Sequence, residues 1–176
     1  GKPESISQFP GMKEKTILLD GFSKSYAMTG WRLGYGVMRK DLAVKMAQLM
    51  TNSNSCTNTF VQFAGIEALK GPQTEVQKMV AEFKKRREVI VDGLNEINGF
   101  NCKKLHGAFY VFPNITGTGM DSRKLGDHLL DKACVSVLPG ASFGEYGEGY
   151  LRLSFANSIE NIKIALNNIE KSLEEL

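Results

Sequence analysis

The sequence predicts an α/β chain made of two pieces, on three observations. Two short apolar runs, 16–20 and 33–38, bracket a loop that holds one lysine and the chain's only tryptophan. A long amphipathic helical pattern occupies 74–98. Beyond it, short apolar runs alternate with helical patterns to the end of the chain. The expected division is 1–73, part of an α/β sheet domain, and 74–176, a linking helix with a small α+β domain.

Residues 1–14 are polar, with Pro3, Pro10 and Gly11, and are expected to be a surface loop or a disordered start. The run 16–20 ends at Gly21 and reads as a buried strand; 33–38 reads as a second strand. Leu42, Met46 and Leu49 keep helical step over 41–50. Residues 51–58, rich in Asn, Ser and Thr, read as a loop or a helix start. A helix over 60–70 is closed by Gly71 and Pro72. In 74–98, Val76, Met79, Val80, Phe83, Ile90, Leu94 and Ile97 recur at three- and four-residue spacing. Thr74 and Gln77 have capping-box spacing, and Gly99 can close the helix. Its length, roughly 37 Å at 1.5 Å per residue, is enough to join two domains. Next come strand 105–112, helix 122–133, strand 134–138, strand 150–155 and helix 159–175 capped by Ser158. In the last strand Leu151, Leu153 and Phe155 point one way, and Tyr150, Arg152 and Ser154 the other.

The bulk numbers remove several function classes. The 176 residues are 42% hydrophobic and 23% charged, ordinary for a globular protein, and a net charge of +3 is too small to argue for nucleic acid. The densest basic run, Lys84–Arg87, is expected to be a solvated helix face. Cys56, Cys102 and Cys134 are far apart and only two histidines are present, so no metal site is expected. The cysteines read as buried thiols of a reducing compartment, the cytoplasm. No apolar stretch approaches the ~20 residues that span a bilayer.

The stretch Ser23-Lys24-Ser25-Tyr26-Ala27-Met28-Thr29-Gly30-Trp31-Arg32-Leu33-Gly34-Tyr35 is the most informative. A deprotonated lysine amine can condense with an aldehyde, and an arginine fork can hold a phosphate. Ser23 and Ser25 add hydroxyl donors. An aldehyde and a phosphate on one small molecule describe pyridoxal 5′-phosphate (PLP). On residue types alone a surface loop, with an ordinary lysine and a salt-bridged arginine, is the commoner reading. Arg152 likewise fits either a structural ion pair or a ligand site.

The whole thirteen-residue run resembles the lysine motif of the class I/II aminotransferases, enzymes of the PLP-dependent transferase fold. His106-Gly107-Ala108-Phe109-Tyr110-Val111-Phe112-Pro113 resembles the family's G-A-F-Y strand, and Val137-Leu138-Pro139-Gly140-Ala141-Ser142-Phe143-Gly144 its V-x-P-G-x-x-F-G turn. The resemblance implies that Lys24 is the catalytic, Schiff-base lysine and that Arg32 holds the cofactor phosphate. Ser23 is carried as a further phosphate contact, although the family's serine three residues before the lysine is Gly21 here. It also implies that Arg152 grips the substrate α-carboxylate and that Phe109 and Tyr110 line the pocket or pack beneath it. Asn54 and Thr57 fall where the family approaches a partner subunit, although turn and cap chemistry accounts for them as well.

The resemblance further implies PLP as cofactor, an amino acid and a 2-oxo acid as substrates, and a homodimer. Family members are roughly twice as long. The chain begins at Gly1 and is expected to be the C-terminal portion of such an enzyme, of aspartate type, and silent on its own. Residues 1–73 are expected to expose surface that the rest of the enzyme covers. A PLP-dependent carbon–sulfur lyase and the aminotransferase-like effector domain of a transcription regulator share the same motifs.

Overall fold

The computed structural model describes residues 4–174; what the sequence implies for 1–3 and Glu175 lies outside the described residues. The chain divides into two compact units at Gln77 and Lys78, within a helix.

In the N-terminal unit, the expected start loop forms two 3-10 turns, Ile6–Gln8 and Lys13–Lys15. The first is capped by Ser5, whose hydroxyl accepts from the Ser7 amide. Strands β1 (Leu18–Gly21) and β2 (Gly34–Val37) pair antiparallel, from Leu18 opposite Val37 to Gly21 opposite Gly34. Helix α1 (Lys40–Asn54) runs past the expected end at 50. Thr51, Asn52 and Ser53 lengthen it by donating their side chains, each at 2.9 Å, to the carbonyls of Ala47, Gln48 and Leu49. Ser55, at φ 63°, ends it. Asn58 caps α2 (Thr59–Lys70) by accepting from the Phe60 amide. This unit buries few large side chains: Phe22, Met28 and Val61.

The long helix α3 (Thr74–Glu96) starts in the N-terminal unit and continues into the C-terminal one. Its last turns carry Ile90, Val91 and Leu94 into a core, and Gly99 follows at φ +87°. Strands β3 (Tyr110–Val111), β4 (Leu138–Pro139) and β5 (Leu151–Ser154) form an antiparallel sheet with β5 in the middle. Tyr110 lies opposite Ser154, and Leu138 opposite Arg152. Helices α4 (Ser122–Ala133) and α5 (Ile159–Glu174) complete the unit. The Asn168 side chain donates to the Ala133 carbonyl and the His128 ring to the Ser172 carbonyl, tying α5 to α4. The Ser158 hydroxyl accepts from Asn161, as an N-cap should. Leu151, Leu153 and Phe155 are buried while Arg152 and Ser154 stay open, so the alternation read from sequence holds.

Further expectations change. The run 16–20, read as a buried strand, forms β1 with Leu18 and Leu19 exposed, because no second layer of the described residues covers it. The strand over 105–112 shrinks to Tyr110–Val111, because residues 106–109 form a bend in place of a paired strand. Arg87 donates to the Leu105 carbonyl at 2.9 Å, Lys104 pairs with Glu88, and Ala108 sits at φ 59°. The strand over 134–138 begins only at Leu138, because Cys134, at φ 55°, closes α4 in the left-handed conformation. The basic run is not uniformly solvated: Lys84 and Lys85 are exposed, but the Arg87 side chain is 19% exposed, paired with Glu88, and buries an unbonded Nε. Only Cys102 is a buried thiol, and burial pushes it up to about 11; Cys56 and Cys134 are exposed.

Candidate functional site

The connection 22–33 between β1 and β2 carries Ser23, Lys24 and Arg32 together. Its form follows from two buried anchors. The Phe22 amide donates to the Leu33 carbonyl at 3.2 Å, and the Phe22 carbonyl accepts from both Tyr26 and Met28. Phe22 also packs against the rings of Tyr26 and Tyr35. Helix α2 crosses this anchor at Gly65, where a Cβ would stand 2.6 Å from Leu33 Cδ2 and 3.4 Å from Phe22 Cζ. The mouth of the loop is held by Asp20, which accepts from the Gly21 amide and the Tyr35 hydroxyl. The Tyr35 phenol is raised above its usual range, first by desolvation and then by the Asp20 charge.

On this frame Lys24 is exposed and Ser23 half-buried. Ala27 and Arg32 both sit at φ 53°, a left-handed conformation that costs an L-residue about 1–2 kcal/mol. Arg32 takes this conformation as it closes the 3-10 turn Thr29–Trp31, just as Cys134 closes α4. Arg32 donates to the Thr29 carbonyl at 2.9 Å and meets no carboxylate among the described residues. An amine, a guanidinium and two hydroxyls on one loop fit a ligand with a carbonyl and a phosphate.

Arg152 sits in the C-terminal unit, on the open face of the middle strand β5. Its guanidinium carbon lies 4.5 Å from the Tyr110 ring centroid and 4.8 Å from that of Phe143. Among the described residues it has no ion pair and no hydrogen bond, which removes the structural-ion-pair alternative within them. Arg39, Arg86 and Arg87, by contrast, pair with Asp41, Glu82 and Glu88; Arg123, exposed on α4, is a further arginine without a carboxylate among the described residues.

Phe109 packs against the core, 6.1 Å from the Phe83 ring and 4.5 Å from Tyr110, so the ring that meets Arg152 directly is its neighbour. Thr57 gives its carbonyl to the Gln62 side chain, and Asn54 ends α1; both are exposed. Phe143 and Glu148 drew no role from the sequence. Phe143 stands in a glycine-rich turn without periodicity, so nothing in the pattern says where its ring points. A fissure of about 380 Å³ between α5 and residues 134–136 holds none of the candidate residues. Among the described residues, no cluster of His, Cys, Asp or Glu could hold a metal, and no helix is long and apolar enough to cross a membrane.

The family description "Aminotransferase class I and II" matches residues 2–169. The chain belongs to the class I and II aminotransferases. It is 46% identical to an aspartate aminotransferase of Pyrococcus horikoshii, over 97% of this chain and 45% of that protein. It is 39% identical to aromatic-amino-acid aminotransferase 2 of Thermococcus litoralis, over 99% of this chain and 45% of that one. The crystal structure of an aromatic aminotransferase from P. horikoshii superposes with a TM-score of 0.93 at 39% identity, over 99% of this chain and 47% of its own. The fold is thus that of the PLP-dependent aminotransferases, and the chain spans less than half the length of these relatives.

Proposed function

We propose that this chain is the C-terminal part of an amino-acid aminotransferase that moves an amino group between an amino acid and a 2-oxo acid with PLP. Its residues 1–73 belong to the cofactor domain, and 74–176 to the linking helix and small domain. The observation that carries the reading is Arg152: partly buried, flanked by two rings, and without a carboxylate partner among the described residues. An arginine kept in that state is ready for an incoming carboxylate, which it can take with two parallel N–H donors.

PLP, when bound, supplies the electron sink for charge that develops at the substrate Cα. Arg32 holds its phosphate with a charge that never titrates, and Ser23 adds a hydroxyl. Lys24 Nζ holds the cofactor and then carries the proton taken from the substrate Cα. Arg152 fixes the substrate carboxylate and so chooses which Cα bond is broken; Phe109 supports the wall beside it. The aspartate-type substrate is supported by the 46% identity to the P. horikoshii enzyme.

The broad apolar surface of the N-terminal unit, with Leu19 at 77% and Phe63 at 68% exposure, supports burial against the rest of the enzyme and a homodimeric partner. The free thiols support a cytoplasmic setting.

The test uses the intact enzyme. Lys24→Ala should abolish both the cofactor's bound absorption and transamination. Arg152→Ala should keep that absorption but weaken an unreactive carboxylate analogue at least about tenfold, or ~1.4 kcal/mol. A Lys24→Ala enzyme with normal spectrum and turnover, or an Arg152→Ala enzyme with unchanged analogue affinity, would overturn the respective role.

A further inference from the structure

Two features hold Arg152 in place, and neither is an opposite charge. Tyr110 is fixed by the ladder, since it pairs with Ser154 across β3 and β5. Phe143 lies in the connection 140–150, which contains only 3-10 turns, Gly140–Phe143 and Glu145–Gly147. An irregular loop does not by itself aim a ring. Here something else aims it.

Glu148 closes the loop. One carboxylate oxygen accepts from the Ser122 amide at 2.8 Å and from the Gly149 amide at 2.9 Å; the other accepts from the Ser122 hydroxyl at 2.8 Å. Ser122 is fully buried in the first turn of α4, and its hydroxyl oxygen lies 3.5 Å from the Ala141 amide. The same three groups thus join helix, loop start and loop end. Gly140 and Gly147 then meet backbone to backbone: a Cβ on either would collide with the carbonyl of the other. The Gly140 amide donates to the Tyr150 carbonyl at 2.8 Å, and Tyr150 stacks on Phe112, whose ring meets Phe143 edge-on at 6.1 Å.

We propose that Phe143 is a positioning residue for Arg152, held over the guanidinium by the Glu148–Ser122 clamp. The inference rests on the reading of Arg152 as the substrate-carboxylate ligand. A carboxylate beside Arg152 would order the side chain but compete with the substrate for the same donors. A ring orders it through the guanidinium face and leaves the N–H edge open. Phe143 and Tyr110 therefore preorganise the fork without neutralising it. Glu148 acts at one remove, through the loop.

The experiment is side-chain NMR on the full 176-residue chain, following the Nε–Hε signal of Arg152. Phe143→Leu should speed rotation about the Arg152 Nε–Cζ bond by about two- to fivefold, the equivalent of one exposed cation–π contact. Phe143→Tyr should restore the slow rate, and Glu148→Gln should raise it in the same direction as Phe143→Leu. The Arg39 signal, from the N-terminal unit where Arg39 pairs with Asp41, is the internal control and should not move. Phe143 is 51% exposed, so its replacement leaves the core methyls of Val111 and Leu151 to report an intact fold. An unchanged Arg152 rate in Phe143→Leu, or no recovery in Phe143→Tyr, overturns the positioning role. Titration with acetate reads the other assignment separately. In the unmodified chain, acetate should shift the Arg152 signal. A signal that ignores acetate while still depending on Phe143 overturns the carboxylate reading and not the positioning.

Discussion

The N-terminal unit carries the lysine loop and the C-terminal unit carries the core. In the C-terminal unit Leu125, Leu129, Leu151, Phe155 and Ile169 are at most 1% exposed, packed between the sheet and helices α3 to α5. In the N-terminal unit Leu19, Val37, Phe60, Phe63 and Ile66 are all at least half exposed, and among the described residues of that unit the two strands are left exposed along their length. Burial of apolar surface is the main favourable term in folding. One unit therefore has the means to stand alone, while the other presents a chemically equipped loop on a frame that lacks its covering. Loops that do chemistry need a rigid scaffold; under the role proposed for Lys24, the exposed apolar side chains of its unit are where further scaffold would pack.

The largest expected effect tests that asymmetry directly. Leu129→Ala should cost about 2–5 kcal/mol of stability, because it empties a fully enclosed site between α4 and its neighbours. Phe63→Ala, at a side chain 68% exposed, should change stability by less than about 0.5 kcal/mol. Urea unfolding of the two variants, read by a probe in the C-terminal unit, measures both. Comparable losses would mean that Phe63 is buried in solution and that the contrast between the units is false. Amide exchange sharpens the same point: protection should concentrate in α4, α5 and β5 and be slight in β1 and β2.

How much was legible in the sequence follows the same division. Where a segment packs on its own neighbours, periodicity located it. Helix 122–133 has the bounds of α4, and the stripe of Leu151, Leu153 and Phe155 reports the buried face of β5. Where a side chain answers to a distant element, the pattern failed. The segment before Tyr110 reads as strand but bends over 106–109, with Ala108 at φ 59°, and the Leu105 carbonyl bonds to Arg87 of α3 in place of a strand. Arg87 looked like a surface charge for the same reason. For the site, residue types and a family resemblance named Lys24, Arg32 and Arg152. They did not name the ring over Arg152 or the clamp beneath it, because contacts across 26 residues, such as Glu148 to Ser122, leave no periodic trace.

A second substitution, of intermediate size, touches only the C-terminal unit. Gly147→Ala places a methyl group against the Gly140 carbonyl, and backbone cannot move aside as a flexible side chain can. Overpacking of this kind costs about 1–3 kcal/mol. The control is Gly30→Ala in the lysine loop, where a Cβ meets nothing within 4 Å. A thermal midpoint lowered by both, or by neither, would break the claim that the 140–150 loop is locked and the lysine loop roomy at that point.

The smallest effect is a pH dependence, and it belongs to Glu148. The Ser122 amide, then the Gly149 amide and the Ser122 hydroxyl, hold this carboxyl below its usual range; desolvation and the Asp121 charge oppose them. A carboxyl whose folded value is depressed stabilises the fold above its unfolded value, about 4.3, and loses that contribution as pH falls through the folded value. Glu148→Gln keeps the shape but has no charge to lose. The native chain should therefore exceed the variant in stability near pH 7 and converge with it as the pH drops below 4.3. Because Glu148 is solvent-exposed, the gap should be small and should narrow with added salt less than an ordinary surface pair would, since its partners are amides and a hydroxyl and not a cation. Asp41, depressed mainly by its side-chain bond to Arg39, supplies the contrast in the other unit: Asp41→Asn should show the same acid convergence but lose most of its gap in high salt. Urea midpoints of both variants against pH, at low and high salt, decide the matter. A Glu148→Gln gap that persists unchanged into acid would show that the carboxyl's charge does not hold the loop and that the clamp works by shape alone.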